Sequence, residues 1–388
     1  MQFGFSEQQQ AIRDSVAKLC AQFDDSYWLK KDKEGGFPSD FYAAMADAGW
    51  LGIAMPEEYG GAGLGVTEAA LMMQTVAESG AALQGASAIH LNIFGPNPIV
   101  VFGTEEQKKR ILPDIIQGKV KGCFAVTEPN AGLNTTALET RAERDGNGYV
   151  VYGKKVFITT AQIADKMLLI ARTTPREQCR RPTEGLSLFY TDFDRSKIEV
   201  REIDKMGRKA VDTNQVFIDG LKVPLEDRIG EEGKGFQYLL HGLNPERILI
   251  AAEAIGIGRA ALKRAAQYAK ERIVFGRPIG KNQAIQHPLA ESWMQLEAAD
   301  LMMFKAAWLY DSGQDCGAEA NASKYLGAEA AFEACQRAVM THGGYGYTKE
   351  FHVERFLREI MIARIAPVSP QLILCYIAER VLGLPKSY

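Results

Sequence analysis

The sequence predicts a mainly α-helical protein with a β domain set in its middle. Three observations carry that reading. Residues up to about 117 alternate helix-periodic runs with Gly and Pro breaks, residues 149–218 hold short runs of β-branched and aromatic residues, and Ala/Leu-rich helical periodicity returns near 235 and persists. The expected division is 1–121 helical, 122–232 antiparallel β in a barrel or sandwich, and 233–388 helical. Strands that are grouped, instead of alternating with helices, argue against a doubly wound nucleotide fold.

Taken in order, Ser6 is placed to cap a helix carrying Ile12, Val16, Leu19 and Phe23 at helical spacing, and Pro38 to start a second with Phe41, Met45 and Ala48. The segment 55–65 ends with four glycines in six residues and is expected to be a loop. A helix at about 66–80 follows. Thr104 then caps another, with Glu105 and Glu106 in its first turn and Gly118 as its stop. Strands are expected at 149–159, 167–171, 186–191, 198–203 and 215–218. Beyond them lie helices at 244–272, 282–311, 317–341 and 370–382, punctuated at Pro278, Pro288, Gly313 and Gly343-Gly344. Asn244 and Pro245 read as the cap and first residue of the first of these, which puts Glu246 in its opening turn.

The composition removes several function classes. With 388 residues, 46% hydrophobic and 24% charged, the chain can bury sizeable cores and does not resemble a disordered protein. Lys and Arg number 45 against 48 Asp and Glu, so there is no basic surplus for nucleic acid. Six scattered cysteines without a CxxC read as reduced thiols, and five histidines without an HxxxH leave no metal site to expect. The start of the chain has no basic or apolar leader and no 18-residue apolar run follows, so a cytoplasmic protein without a membrane span is expected.

Several motifs carry two readings each. Gly230-Glu231-Glu232-Gly233-Lys234-Gly235 lacks the glycine spacing and hydroxyl of a phosphate loop, and reads as a turn from sheet to helix. The polar turn Thr127–Gly132 is an ordinary loop or a donor set for a planar heterocycle. Arg272-Ile273-Val274-Phe275-Gly276-Arg277 either caps a helix or offers a guanidinium to a diphosphate beside a stacking ring. Three glycines in Gly343–Gly346 imply close approach by a helix or by a ligand. Glu246 complements a helix dipole or serves as a general base.

In sequence these motifs resemble the acyl-CoA dehydrogenase family. The resemblance runs through Pro56–Gly61, Gly103–Gln107, Val126–Pro129 with Ala131-Gly132, Phe157-Ile158-Thr159, Gly230–Phe236, Arg272 with Phe275-Gly276, and Gly343-Gly344 with Gly346-Tyr347. It implies an N-terminal helical domain, an antiparallel β-barrel or sandwich, a C-terminal four-helix bundle, non-covalent FAD, a homotetramer and an electron-transferring flavoprotein as partner. Carried over residue by residue, it puts Phe124, Val126, Thr127, Phe157, Ile158 and Thr159 on the flavin side. Arg272, Phe275 and Gln283 would meet the diphosphate and adenosine half of a neighbouring subunit's flavin, Met340, Gly343 and Gly344 would line its path, and Ser369 and Gln371 would complete the pocket. Leu133, Asn244 and Arg247 would face the acyl-CoA.

The reaction so implied removes the α-proton of an acyl-CoA thioester with a carboxylate and passes the β-hydrogen as hydride to flavin N5, giving a trans-2-enoyl-CoA. Many members carry the base just before the final helix. Here that stretch reads Ile365-Ala366-Pro367-Val368-Ser369, without an acid. Isovaleryl-CoA and long-chain acyl-CoA dehydrogenases place it on another helix immediately before an arginine, and Glu246-Arg247 is similar, so Glu246 is the expected base. Leu133-Asn134 stands where the family usually has Ser-Asp and Met340 where Gln is common. Pro367 has no N–H to meet an enolate oxygen. These departures keep two alternatives: a member with changed chemistry, such as a flavin monooxygenase or a desulfinase-like protein, and a non-catalytic acyl-CoA-binding protein. His90 and the turn Gly95-Pro96-Asn97-Pro98 are expected near the acyl end as packing residues.

Overall fold

The computed structural model describes residues 4–387. Helix α1 (Glu7–Cys20) starts at Ser6, whose hydroxyl accepts from Gln9 N while the Gln9 side chain returns to the cap. Phe23 lies beyond this helix and packs against the same core. The helix beginning after Pro38, α3 (Ser39–Asp47), is the third in the chain, because α2 (Asp25–Glu34) precedes it. Only Trp28 and Asp32 of α2 are buried, so it shows no apolar period. Helix α4 (Val66–Val76) passes through a widened turn at Ala77–Ala81 into α5 (Ala82–Phe94), and α6 (Asn97–Phe102) follows. Both α5 and α6 went unread in the sequence. Every residue of α5 except Leu91 is buried, and a helix covered all round carries no amphipathic signature. Helix α7 (Glu105–Ile116) has its expected cap at Thr104, and Gln107 also donates to Glu226 O and Arg228 O at 2.8 Å each, tying the helix to the sheet.

The strands are β1 (Gly122–Ala125), β2 (Arg141–Asp145), β3 (Gly148–Thr159), β4 (Lys166–Arg172), β5 (Leu186–Asp192), β6 (Ile198–Glu202), β7 (Thr213–Pro224) and β8 (Arg228–Ile229). They form one sheet in the order β6-β7-β3-β2-β4-β5-β8, with β1 beside β4. Most pairings are antiparallel as expected. The contacts of β1 and β2 with β4 are parallel. The short or charged strands β1, β2 and β8 were not legible as strands. The β3–β7 register shifts between Lys155 and Ile158, a bulge that re-aims the side chains there.

Helix α8 (Gly235–Glu271) starts nine residues before the expected 244 and runs through Pro245. Asn244 and Pro245 are therefore not a cap and first residue, and Glu246 lies about three turns inside the helix. Proline removes one hydrogen bond there, and burial of Tyr238, Leu239, Ile248 and Leu249 on both sides holds the helix together. A hairpin of β9 (Ile273–Val274) and β10 (Arg277–Pro278) leads to α9 (Gln283–Asp311), which likewise continues through Pro288. Then come α10 (Gly317–His342), α11 (Val353–Ile365) and α12 (Pro370–Arg380). Helix α11 was missed because Arg355 and Glu359, a buried pair at 3.1 Å, interrupt its apolar face.

Helices from both ends of the chain share one core. It joins Val16, Trp28, Met73 and Ile89 to Ile255, Leu296, Ala331 and Phe356. Small residues on α8 allow that approach. A Cβ on Gly256 would come within 2.4 Å of Gln74 O on α4. Replacing it, Gly256→Ala, is expected to cost about 1–3 kcal/mol by forcing the two helices apart. A denaturant midpoint equal to that of the wild type would contradict this packing.

Candidate active site

On α8 the sequence places a carboxylate in an apolar helix. Glu246 is half-buried as a residue, yet its Oε2 is sealed from solvent and has no hydrogen-bond partner among the described residues. Burial pushes its pKa up to about 7, against the charges of His90 and Arg247, which favour ionisation; Glu253 adds to the rise. Its neighbour Arg247 donates from Nη1 to Asn244 Oδ1 at 2.9 Å, while its Nε is buried and unpaired. The three residues Asn244, Glu246 and Arg247 thus stand together, with polar atoms left over. No acid stands at Pro367. The main chain beside it is held by Lys324, whose buried Nζ donates to Val368 O at 2.7 Å and whose pKa burial lowers to about 8. Ser369 caps α12 by accepting from Leu372 N, with Pro370 at the first helical position as expected. Gln371 follows it, exposed in the first turn.

The sheet carries a second group of the expected residues. Thr127 is half-buried at the end of β1, and its carbonyl accepts from Val156 N at 2.9 Å. Behind this turn, the buried Lys155 Nζ donates to Glu128 Oε1 at 2.9 Å, Val126 O at 3.0 Å and Ile170 O at 2.9 Å. Glu128 also accepts from the backbone N–H groups of Glu139 and Thr140. Two of the expected residues have buried side chains. The side chains of Val126 and Ile158 are packed into the core of the sheet, so they can offer a ligand only their main chain. The alternation of strand side chains requires this, since Phe157 between core-facing neighbours points outward. At the bulge, Phe157 adopts φ +60 and is 65% exposed, an apolar ring held out from the sheet. Thr159 is half-buried, Phe124 packs its ring on Phe94 at 5.3 Å, and Leu133 is exposed.

A third group lies at the ends of α8, α9 and α10. Arg272 is exposed, has no carboxylate partner among the described residues, and lies 5.7 Å over the Tyr345 ring. Phe275 and Gly276 form a two-residue hairpin tip with φ +49 and +76, leaving the Phe275 ring fully exposed. The glycine cluster divides its two readings. Gly346 is required for packing, since a Cβ would sit 2.2 Å from Val339 O, whereas Gly343 and Gly344 face open space. Met340, 72% exposed, and Gln283 at the start of α9 are also on the surface.

These groups suit FAD: an unpaired guanidinium for a diphosphate, aromatic rings to stack, a held-out Phe157 and open backbone at two glycines. The sequence offered no sign of the buried pairs His90–Glu253 and Lys155–Glu128.

The chain matches the acyl-CoA dehydrogenase N-terminal domain over residues 6–119, the middle domain over 123–221 and the C-terminal domain over 233–382. It is 40% identical to acyl-CoA dehydrogenase fadE12 of Mycobacterium bovis, over 99% of this chain and 98% of that protein. A chain in a structure described as the electron transferring flavoprotein of Acidaminococcus fermentans superposes with a TM-score of 0.94 at 33% identity, covering 98% of this chain and 100% of that one. Butyryl-CoA dehydrogenase from Megasphaera elsdenii superposes with a TM-score of 0.93 at 30% identity, over 98% and 100% of the two chains. The chain belongs to the acyl-CoA dehydrogenase family, as an FAD-binding oxidoreductase.

Proposed function

We propose that the protein oxidises an acyl-CoA thioester to its trans-2-enoyl-CoA, with Glu246 as the base that takes the α-proton. The observation that carries this is the buried, unpartnered Oε2 of Glu246 beside Arg247, in a chain with no acid at Pro367. A base working near neutrality needs a pKa close to the working pH, and desolvation supplies that here. FAD, when bound, accepts the β-hydrogen as a hydride. The residues of the chain bind, orient and exclude water. Arg247, bonded to Asn244, stands next to Glu246, Lys324 fixes the segment before α12, and Lys155 fixes the turn that carries Thr127.

Further parts of this reading are that the protein works in the cytoplasm as a homotetramer and hands its electrons to an electron-transferring flavoprotein. In its support, α9 exposes Trp293, Met294, Leu301 and Trp308, an apolar stripe at helical spacing, and Arg272, Phe275 and Gln283 are free for a neighbouring subunit's cofactor. The alternative of changed chemistry draws on Leu133, an exposed apolar residue where a polar contact is usual.

Anaerobic mixing with a panel of acyl-CoA thioesters tests the reading. The wild type should bleach its flavin, while Glu246→Gln should retain FAD and bind acyl-CoA but bleach slower by a factor of about 10²–10⁴. Undiminished bleaching by the variant removes Glu246 from the base role, and a wild type that no acyl-CoA bleaches overturns the dehydrogenase reading. The pH dependence has a definite sign. Glu246 must be ionised to act, so kcat/KM should fall as the pH drops through about 7. Stability runs the other way: the folded state holds this proton more tightly than the unfolded chain, so the contribution is complete below pH 4.5 and is lost as pH rises through about 7. Calorimetry should find Glu246→Gln more stabilised relative to the wild type at about pH 8 than at about pH 5.

A further inference from the structure

The proposed chemistry leaves a buried charged pair without a task. His90 on α5 is 8% exposed, and its Nδ1 lies 2.6 Å from Glu253 Oε1, which belongs to a residue 2% exposed. Glu253 follows Glu246 by seven residues on α8, two turns along the same face. The imidazole is also held by ring contact with Phe94 at 4.7 Å, and Phe94 packs on Phe124 at the sheet wall. The second ring nitrogen, Nε2, makes no hydrogen bond among the described residues. Packing alone gives no reason for such a pair, since two apolar residues would fill the space without desolvating two polar groups.

Burial alone would lower the His90 pKa, but Glu253 and then Glu246 outweigh burial and raise it. Arg208, from the segment between β6 and β7, opposes the imidazolium; it is itself balanced by Glu253 and by Glu359 of α11. Arg247 acts on Glu246 from the other side. Because His90 is buried, its interaction with Glu246 is screened less than one between surface charges.

We propose that His90, clamped by Glu253, is a positioning residue that sets the charge state of Glu246: as an imidazolium it favours the carboxylate and keeps the base ionised near neutral pH. The proposal rests on Glu246 as the base. It also gives α5 a task in catalysis, because the cation that tunes the base arrives from a helix more than 150 residues away in the chain.

His90→Asn tests it, since asparagine keeps an N–H donor for Glu253 and removes the charge. The acid limb of kcat/KM is expected to move to higher pH by about one unit, the low end for loss of a nearby opposite charge. FAD content should be unchanged. An acid limb at the wild-type pH overturns the proposal. In case the variant fails to fold, ¹⁵N-histidine NMR titration compares the wild type with Glu246→Gln. The His90 midpoint is expected to fall in Glu246→Gln, and equal midpoints overturn the proposal. The NMR experiment reads the coupling without turnover. A failed base assignment, seen as bleaching by Glu246→Gln, is thereby told apart from a failed coupling, seen as an unmoved His90 midpoint.

Discussion

The 37 residues of α8 run through the shared core with alanine, glycine and isoleucine on almost every face. Its central stretch, residues 251–258, is buried throughout, which needs small residues where neighbours come close, and Gly256 and Gly258 supply them against α4, α9 and α10. It also sets a condition on any charge the helix carries. Glu253 meets the condition by pairing with His90; Glu246 does not, and one of its oxygens has no partner among the described residues. An unsatisfied buried carboxylate is destabilising, and such a defect persists where function uses it. The raised pKa of Glu246 is the same fact seen as proton affinity.

Two loops that carry expected site residues are held by buried ammonium groups. Lys155 gathers two main-chain carbonyls and the Glu128 carboxylate under the turn that carries Thr127, and Lys324 grips Val368 O in front of α12. Each draws a loop against regular structure through charge-assisted hydrogen bonds, which are stronger and more directional than neutral ones. Loops so anchored keep their backbone groups in place for a ligand. The outer part of the site is built differently. Arg272, Phe275 and Met340 lie exposed at helix ends and at a hairpin tip, where contact with another body can complete them.

Much of the fold could be read from local patterns, and the failures have physical causes. The caps at Ser6, Thr104 and Ser369 were legible because capping is a contact among residues three apart. Helix α5 was not, because complete burial erases the polar face that marks an amphipathic helix. Pro245 suggested a helix start, and packing on both sides overrode it. At the site, the strand Phe157-Ile158-Thr159 was recognised from its motif, but which side chain faces outward depended on a bulge paired with β7, sixty residues later. His90, expected to be a packing residue, proved to be half of a buried ion pair.

The sequence alone determined the order of helical, β and helical segments, the caps, the family and the carboxylate that precedes an arginine, because these rest on local spacing and on motifs in order. Tertiary structure decided that the two helical segments share a core, and it decided how strongly Glu246 holds its proton. Desolvation and the charge of His90 both act through space. In an interior of low dielectric their strength follows distance and burial, which the separation of residues along the chain does not encode.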